Sequence, residues 1–243
     1  MLFISPPFGN YFNLPYTKSI KGSYTLQPRA GLFTQIIKTL RYTDKGWVNK
    51  IGLRNPGIEY GIKHYNHKTD ILSIAIMNVN EIYKINKMLP SDANIEINIS
   101  CPNTEKNMID EEIDVFLNNK REWCILKLSP LTSFKKVHKY YSMGFKQFHC
   151  CNTLPTYKNN KYVGGLSGPA LNIYTTYFIY ILKKKYKDIT IIAGGGIYKY
   201  ENLEYYKKLG ADHFSISTIF FNPFNLAIFF ANFYKNNQKS SFF

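Results

Sequence analysis

Apolar residues in this chain fall into two kinds of run that take turns. Short runs rich in Ile, Leu, Val and Phe stand at 71–77 (ILSIAIM), 94–100 (NIEINIS), 124–129 (CILKLS), 147–153 (QFHCCNT), 188–196 (DITIIAGGG) and 212–218 (DHFSIST). Each is followed by a stretch whose apolar positions recur every three to four residues: 78–89, 108–119, 131–143, 169–186, 200–210 and 223–234. Period two predicts strands and period 3.6 predicts helices, and their strict alternation predicts a parallel sheet joined by right-handed crossovers. Two further strands are predicted near the start, at 2–5 (LFIS) and 19–26 (SIKGSYTL). That brings the count to the eight of a (β/α)8 TIM barrel, an α/β fold.

The first unit departs from the pattern. Residues 8–17 are too few, and too rich in Pro and Tyr, for a full helix, so the first β/α unit is expected to be truncated. Residues 29–57 read as an elaborated loop over one mouth of the barrel. No linker, low-complexity block or repeat divides the 243 residues, which predict a single domain over 1–243. At 45% hydrophobic and 16% aromatic, the chain is not of disordered composition. No apolar run approaches the 18 residues of a spanning helix, and the opening MLFI is too short for a signal peptide. A cytoplasmic protein with no membrane partner is expected.

A formal net charge of +15 raises nucleic acid as a partner. The cations are nearly all Lys, however, with Arg only at 29, 41, 54 and 121, and Lys, Asn, Ile and Tyr are abundant together, as in AT-rich coding sequence. The charge is therefore read as composition spread over solvated helix faces. Cys101, Cys124, Cys150 and Cys151 show no CxxC spacing and the five histidines no ligand pattern, so no metal site is predicted.

Chemistry is expected where polar residues gather at successive strand ends, because the C-terminal mouth of such a barrel carries its site. Those ends hold Ser5, residues 98–103, Lys127, Asn152, Gly194–Gly196, and Ser217 with Thr218. The glycine turn of AGGGI and the Ser-Thr of SISTIF each precede a helix, where free N–H groups suit an anion. Adjacent turns after the last two strands predict a phosphate site.

The segments NISCPN, LKLSP, NT at 152–153, GGLSGPAL, GGGI and GADHFSIST occur in an order and spacing that resembles the FMN-dependent dihydroorotate dehydrogenases. NKIGLRNPG at 49–57 resembles that family's substrate loop, and the likeness spans roughly residues 45–225. It is to the soluble, cysteine-base branch, since the quinone-using branch carries Ser at the position of Cys101. The resemblance implies FMN as cofactor and a small pyrimidine, dihydroorotate or orotate, as substrate. It implies an FMN phosphate on Gly195, Gly196, Ser217 and Thr218, with Gly168 near the ribityl chain and Ser167 and Gly165 in the same loop. Ser5 and Lys21 would also contact the cofactor, and Lys127 would face the flavin N1/O2 edge, where a cation favours the reduced ring.

Asn49, Asn98, Asn103, Asn152 and Thr153 would bind the pyrimidine, whose alternating N–H and C=O groups match amide side chains. The N–H groups of Ile51, Gly52 and Leu53 would hold the carboxylate. Cys101 would be the base that removes the C5 proton while hydride leaves C6. A homodimer is a further implication.

Three departures stand out. The family's flavin- and substrate-contacting lysine falls here at Gly22, with Lys21 one residue early, and a one-residue shift in a strand reverses a side chain's face. Pro6 replaces the usual glycine, and TEKN stands where the family's mobile loop has glycines. Two other readings are compatible with the same residues: a tRNA-dihydrouridine synthase-like FMN enzyme, which the charge favours, and a catalytically inactive FMN-binding barrel, which the loss at Gly22 favours.

Overall fold

The structure, a computed structural model, describes residues 1–99 and 111–240. Its strands are β1 (Leu2–Ile4), β2 (Thr17–Tyr24), β3 (Arg41–Thr43), β4 (Gly46–Asn49), β5 (Asp70–Ile74) and β6 (Ile95–Asn98), followed by β7 (Cys124–Leu128), β8 (Gln147–Cys150), β9 (Leu154–Lys158), β10 (Lys161–Ser167), β11 (Thr190–Gly194) and β12 (His213–Ile216). Helices are α1 (Leu32–Thr39), α2 (Ile58–Lys63), α3 (Ile82–Met88), α4 (Phe134–Ser142), α5 (Asn172–Lys185), α6 (Tyr200–Lys208) and α7 (Pro223–Ser240). Strands β1, β2, β5, β6, β7, β8, β11 and β12 pair in parallel, in that order, and β12 closes back on β1. The eight strands are those that the alternating pattern predicts.

The connections show where the pattern holds and where it does not. Only a 3-10 turn, Phe8–Asn10, joins β1 to β2, so the first unit is truncated as expected. Between β6 and β7 the described residues form a 3-10 turn, Ile113–Phe116, in place of the helix expected over 108–119. The segment 29–57 is more than a loop. It contains α1 and the β3–β4 hairpin, which joins β10 and β9 in an antiparallel sheet of order β3-β4-β10-β9. The β9–β10 turn is made by Asn159 and Asn160, both at positive φ (48° and 60°), which is the two-residue geometry that matches strand twist.

Outward strand residues such as Leu72, Ile97, Leu126, Phe148, Ala193 and Ile216 pack against Ile82, Ile85, Val137, Phe178 and Leu203 of the helices. Inside the barrel a second apolar cluster, Phe3, Ile20, Ile71, Trp123, Ile125 and Ile192, fills the end from which the strands start. Two residues further along the same strands, on the same face, the lining turns polar: Ser5, Gly22, Ser73, Lys127 and Gly194. The barrel interior is thus a dry plug beneath a polar floor, and the floor faces the C-terminal mouth. Among the described residues no helix is long and apolar enough to cross a membrane.

Candidate active site

The polar floor is one connected network. Glu96, on β6, is fully buried, and its Oε1 accepts from Ser73 Oγ at 2.9 Å. Its Oε2 accepts from His149 Nδ1 at 2.6 Å. The Lys127 ammonium lies 3.5 Å from Oε1. Asn152 donates to Asn98 at 3.0 Å and Asn98 to Ser23 at 2.9 Å. Ser23 and Ser73 are 2.8 Å apart. Because Ser73 spends its proton on Glu96, Ser23 must donate to Ser73, and the whole chain of donors runs one way, from Asn152 to the carboxylate.

Burial alone would push the Glu96 carboxyl up. Lys127 and His149, with the hydrogen bonds from His149 and Ser73, outweigh it and hold the group at about 2. His149 is pushed below its usual value, first by burial and then by Lys127, against the opposing pull of Glu96. The floor therefore holds an ammonium–carboxylate pair and a neutral imidazole that gives its Nδ1 proton to Glu96.

Above the floor lies a cavity of about 400 Å³. Of the residues the sequence singles out, Ser5, Asn49, Ile51, Gly52, Leu53, Asn98, Lys127, Asn152, Thr153, Gly195, Gly196, Ser217 and Thr218 all line it. They come from seven different segments, so their convergence is a product of the fold and not of sequence proximity. Cys101 and Asn103 lie outside the described residues. Gly168 is not in the lining itself, although its neighbour Ser167 is, and it sits against Gly46.

Lys21 does not reach the cavity. One residue past inward-facing Ile20, it takes the outer face and pairs with buried Asp70 at 2.8 Å. The β2–β5 register does shift between Lys21 and Tyr24, but the irregularity brings Gly22 and Ser23 into the lining and not the ammonium. Gly22 has φ 124°, and a Cβ there would run into Ser73 O, so the position has no room for the missing cation.

The glycine turn has the geometry of an anion cradle. Gly195 and Gly196 have φ of 103° and 80°, and a Cβ on Gly196 would come within 2.6 Å of the Asn172 backbone. Among the described residues the N–H groups of Gly195, Gly196 and Ile197 find no acceptor, nor do those of Ser217 and Thr218. Thr175 and Tyr206 donate to the turn's carbonyls and fix it from behind (3.1 and 2.9 Å to Gly195 O). Successive free N–H groups at a cavity wall suit a phosphate. The donor set fits a phosphorylated flavin: a cradle on β11 and β12, a cation on β7, and amides between β4 and β8.

The rim is aromatic and apolar. Phe8 stacks on Phe220 (4.9 Å between centroids), and Trp47 of the antiparallel sheet leans on Phe221 at 4.4 Å. Leu32, Ile36 and Leu40, spaced four apart along and just past α1, cover the opposite side. The three described thiols, Cys124, Cys150 and Cys151, are buried. Burial pushes Cys151, which also lines the cavity, up to about 12, Cys124 to about 12 and Cys150 well above its usual value.

Glu96, His149, Ser73 and Ser23 belong to the site and are absent from the residues singled out by sequence. The signal was present for three of them: polar residues at the inward parity, Ser73 in ILSIAIM, Glu96 in NIEINIS and His149 in QFHCCNT.

Fold and site together define a TIM barrel with a ligand cavity at its C-terminal mouth. The Dihydroorotate dehydrogenase family profile matches residues 11–227, and the chain belongs to that family of flavin-dependent oxidoreductases of pyrimidine biosynthesis. It is 27% identical to the catalytic subunit of dihydroorotate dehydrogenase B (NAD(+)) of Thermotoga maritima, over 91% of this chain and 93% of that one. It is 32% identical to the corresponding subunit of Oceanobacillus iheyensis, over 75% and 69%. Among solved structures, DHODH from Eimeria tenella in complex with ferulenol superposes with a TM-score of 0.68 at 16% identity, over 90% of this chain and 75% of that one, a likeness of fold.

Proposed function

We propose that the chain oxidises dihydroorotate to orotate with FMN as its cofactor. The observation that carries this reading is the meeting, in one cavity, of the Gly195–Gly196–Ile197 cradle, Lys127 and the amides Asn49, Asn98 and Asn152. FMN, when bound, accepts the hydride that leaves C6 of the substrate.

The chain's own residues do the rest. The free N–H groups of residues 195–197, with Ser217 and Thr218, bind the phosphate, and Ser5, held at 2.6 Å from Ser215, borders the ring slot. Lys127, fixed by Glu96, offers positive charge to the ring edge that gains electron density. Asn49, Asn98 and Asn152, with Thr153, orient the pyrimidine, and the N–H groups of Ile51, Gly52 and Leu53 receive its carboxylate. Arg29 braces that loop through Gly52 O at 3.3 Å. Cys101 removes the C5 proton; in this assignment it is the only thiol with that task, since Cys151 stays protonated. Gly168 lies near the ribityl chain, and Asn103 joins the amide set.

A steady-state assay with an artificial dye acceptor checks the reaction. FMN-loaded protein is expected to form orotate from dihydroorotate, with dye reduced in equal amount. Dye reduction that does not depend on dihydroorotate, or none at all from FMN-loaded protein, overturns the proposal.

A further inference from the structure

Among the described residues, His149 is a buried titratable group of the cavity floor to which the proposed chemistry gives no task. It is 2% exposed, borders the cavity, and gives Nδ1–H to Glu96. That bond fixes the tautomer, so Nε2 carries a lone pair and can only accept. Among the described residues the ring's one hydrogen bond is through Nδ1 to Glu96, and Nε2, beside the cavity, has none.

Its position is set by strand register. His149 pairs with Lys127 on β7 and with Ile192 on β11. Two residues beyond Ile192, Gly194 leaves room for the ring: a Cβ there would collide with Nε2. The phosphate cradle begins at the next residue, Gly195. His149 therefore stands between the ammonium assigned to the flavin ring edge and the turn assigned to the phosphate. The piece of a phosphorylated flavin that spans ring and phosphate is its chain of hydroxyls.

We propose that His149 Nε2 is a cofactor-binding acceptor for a ribityl hydroxyl, oriented by Glu96 and given its space by Gly194. The inference rests on the flavin reading above and adds to it a contact made by a residue particular to this floor. It also accounts for the buried carboxylate: Glu96 serves two groups that face the same ligand, an ammonium through one oxygen and an imidazole through the other.

The test compares FMN, riboflavin and lumiflavin, which lacks the hydroxyl chain, by quenching of flavin fluorescence. His149→Leu should weaken FMN and riboflavin about tenfold, the worth of one good hydrogen bond, and leave lumiflavin unchanged. His149→Gln, which keeps an acceptor, should restore most of the loss. A ¹⁵N spectrum of imidazole-labelled wild-type protein gives an independent readout that needs no variant to fold: FMN should move the Nε2 resonance toward its hydrogen-bonded position, and lumiflavin should not. Equal weakening of all three flavins by His149→Leu, or an Nε2 resonance indifferent to FMN, overturns the assignment while leaving the flavin site standing. Wild-type protein that binds none of the three overturns both.

Discussion

Replacing Cys101 by alanine is expected to lower kcat for dihydroorotate oxidation about 10²- to 10⁴-fold, the usual worth of a positioned general base, while FMN binding stays unchanged. The separation follows from where the groups lie. The residues assigned to FMN are on β1, β7, β8, β10, β11 and β12 or the turns after them, whereas Cys101 follows β6. A free thiol titrates near ~8.5 and the thiolate is the basic form, so the wild-type rate should rise with pH until the thiol is ionised. Cys101→Ser should keep part of the geometry, lose that rise and retain a fraction of the rate. Rate–pH profiles of the three proteins, with FMN content measured by absorbance, decide it. An alanine variant with wild-type kcat would remove Cys101 from the mechanism.

Glu96→Ala is expected to cost stability on the order of 3–5 kcal/mol, the range for breaking a buried ion pair from one side. The loss leaves Lys127 and His149 facing each other in a buried floor, and Ser73 without its acceptor. Glu96→Gln keeps the shape and should cost less. The sign of the pH dependence is fixed by the direction of each shift. Glu96 sits at about 2 in the fold against an unperturbed 4.5, so its contribution is complete above pH 4.5 and is lost as pH falls toward 2. His149 is also lowered, so the unfolded chain takes up a proton below the ordinary histidine value of 6.5 before the fold does, and acid again destabilises. Urea unfolding at pH 4.5 and pH 2.5, in a His149→Gln background so that the imidazole does not contribute, should show the protein with Glu96 losing stability on acidification and its Glu96→Gln counterpart losing less. Equal acid sensitivity in the two would mean that the carboxylate is not held as described.

The barrel was legible because its outward strand faces and helix stripes are apolar in two distinct periods, and burial between layers enforces both. The antiparallel cap was not, because β3, β4, β9 and β10 carry few apolar runs. The Asn159–Asn160 turn, which is a hairpin signal, is flanked by Tyr157 and Lys158 on one side and Lys161 and Tyr162 on the other, with no apolar alternation beside it. The cavity wall was legible where motifs mark it, as at Asn98, Lys127, Asn152 and Gly195. The floor was missed for a physical reason. A polar residue at period two in a strand ordinarily marks a solvent face, yet in a barrel the inward face changes from apolar to polar partway along, and Ser73, Glu96 and His149 stand just past that change. Lys21 illustrates the cost of one position: with Gly22 taking the inward place, the ammonium turns outward to Asp70, and among the described residues Lys127 is the lysine that remains on the cavity wall.

The central claim is that this cavity holds a flavin which dihydroorotate reduces directly. An anaerobic titration of FMN-loaded protein, with no acceptor present, measures that step alone. The yellow absorbance should bleach in proportion to added dihydroorotate, one equivalent per flavin, and return when air is admitted. Flavin that stays oxidised under excess dihydroorotate, yet bleaches with dithionite, would contradict the account.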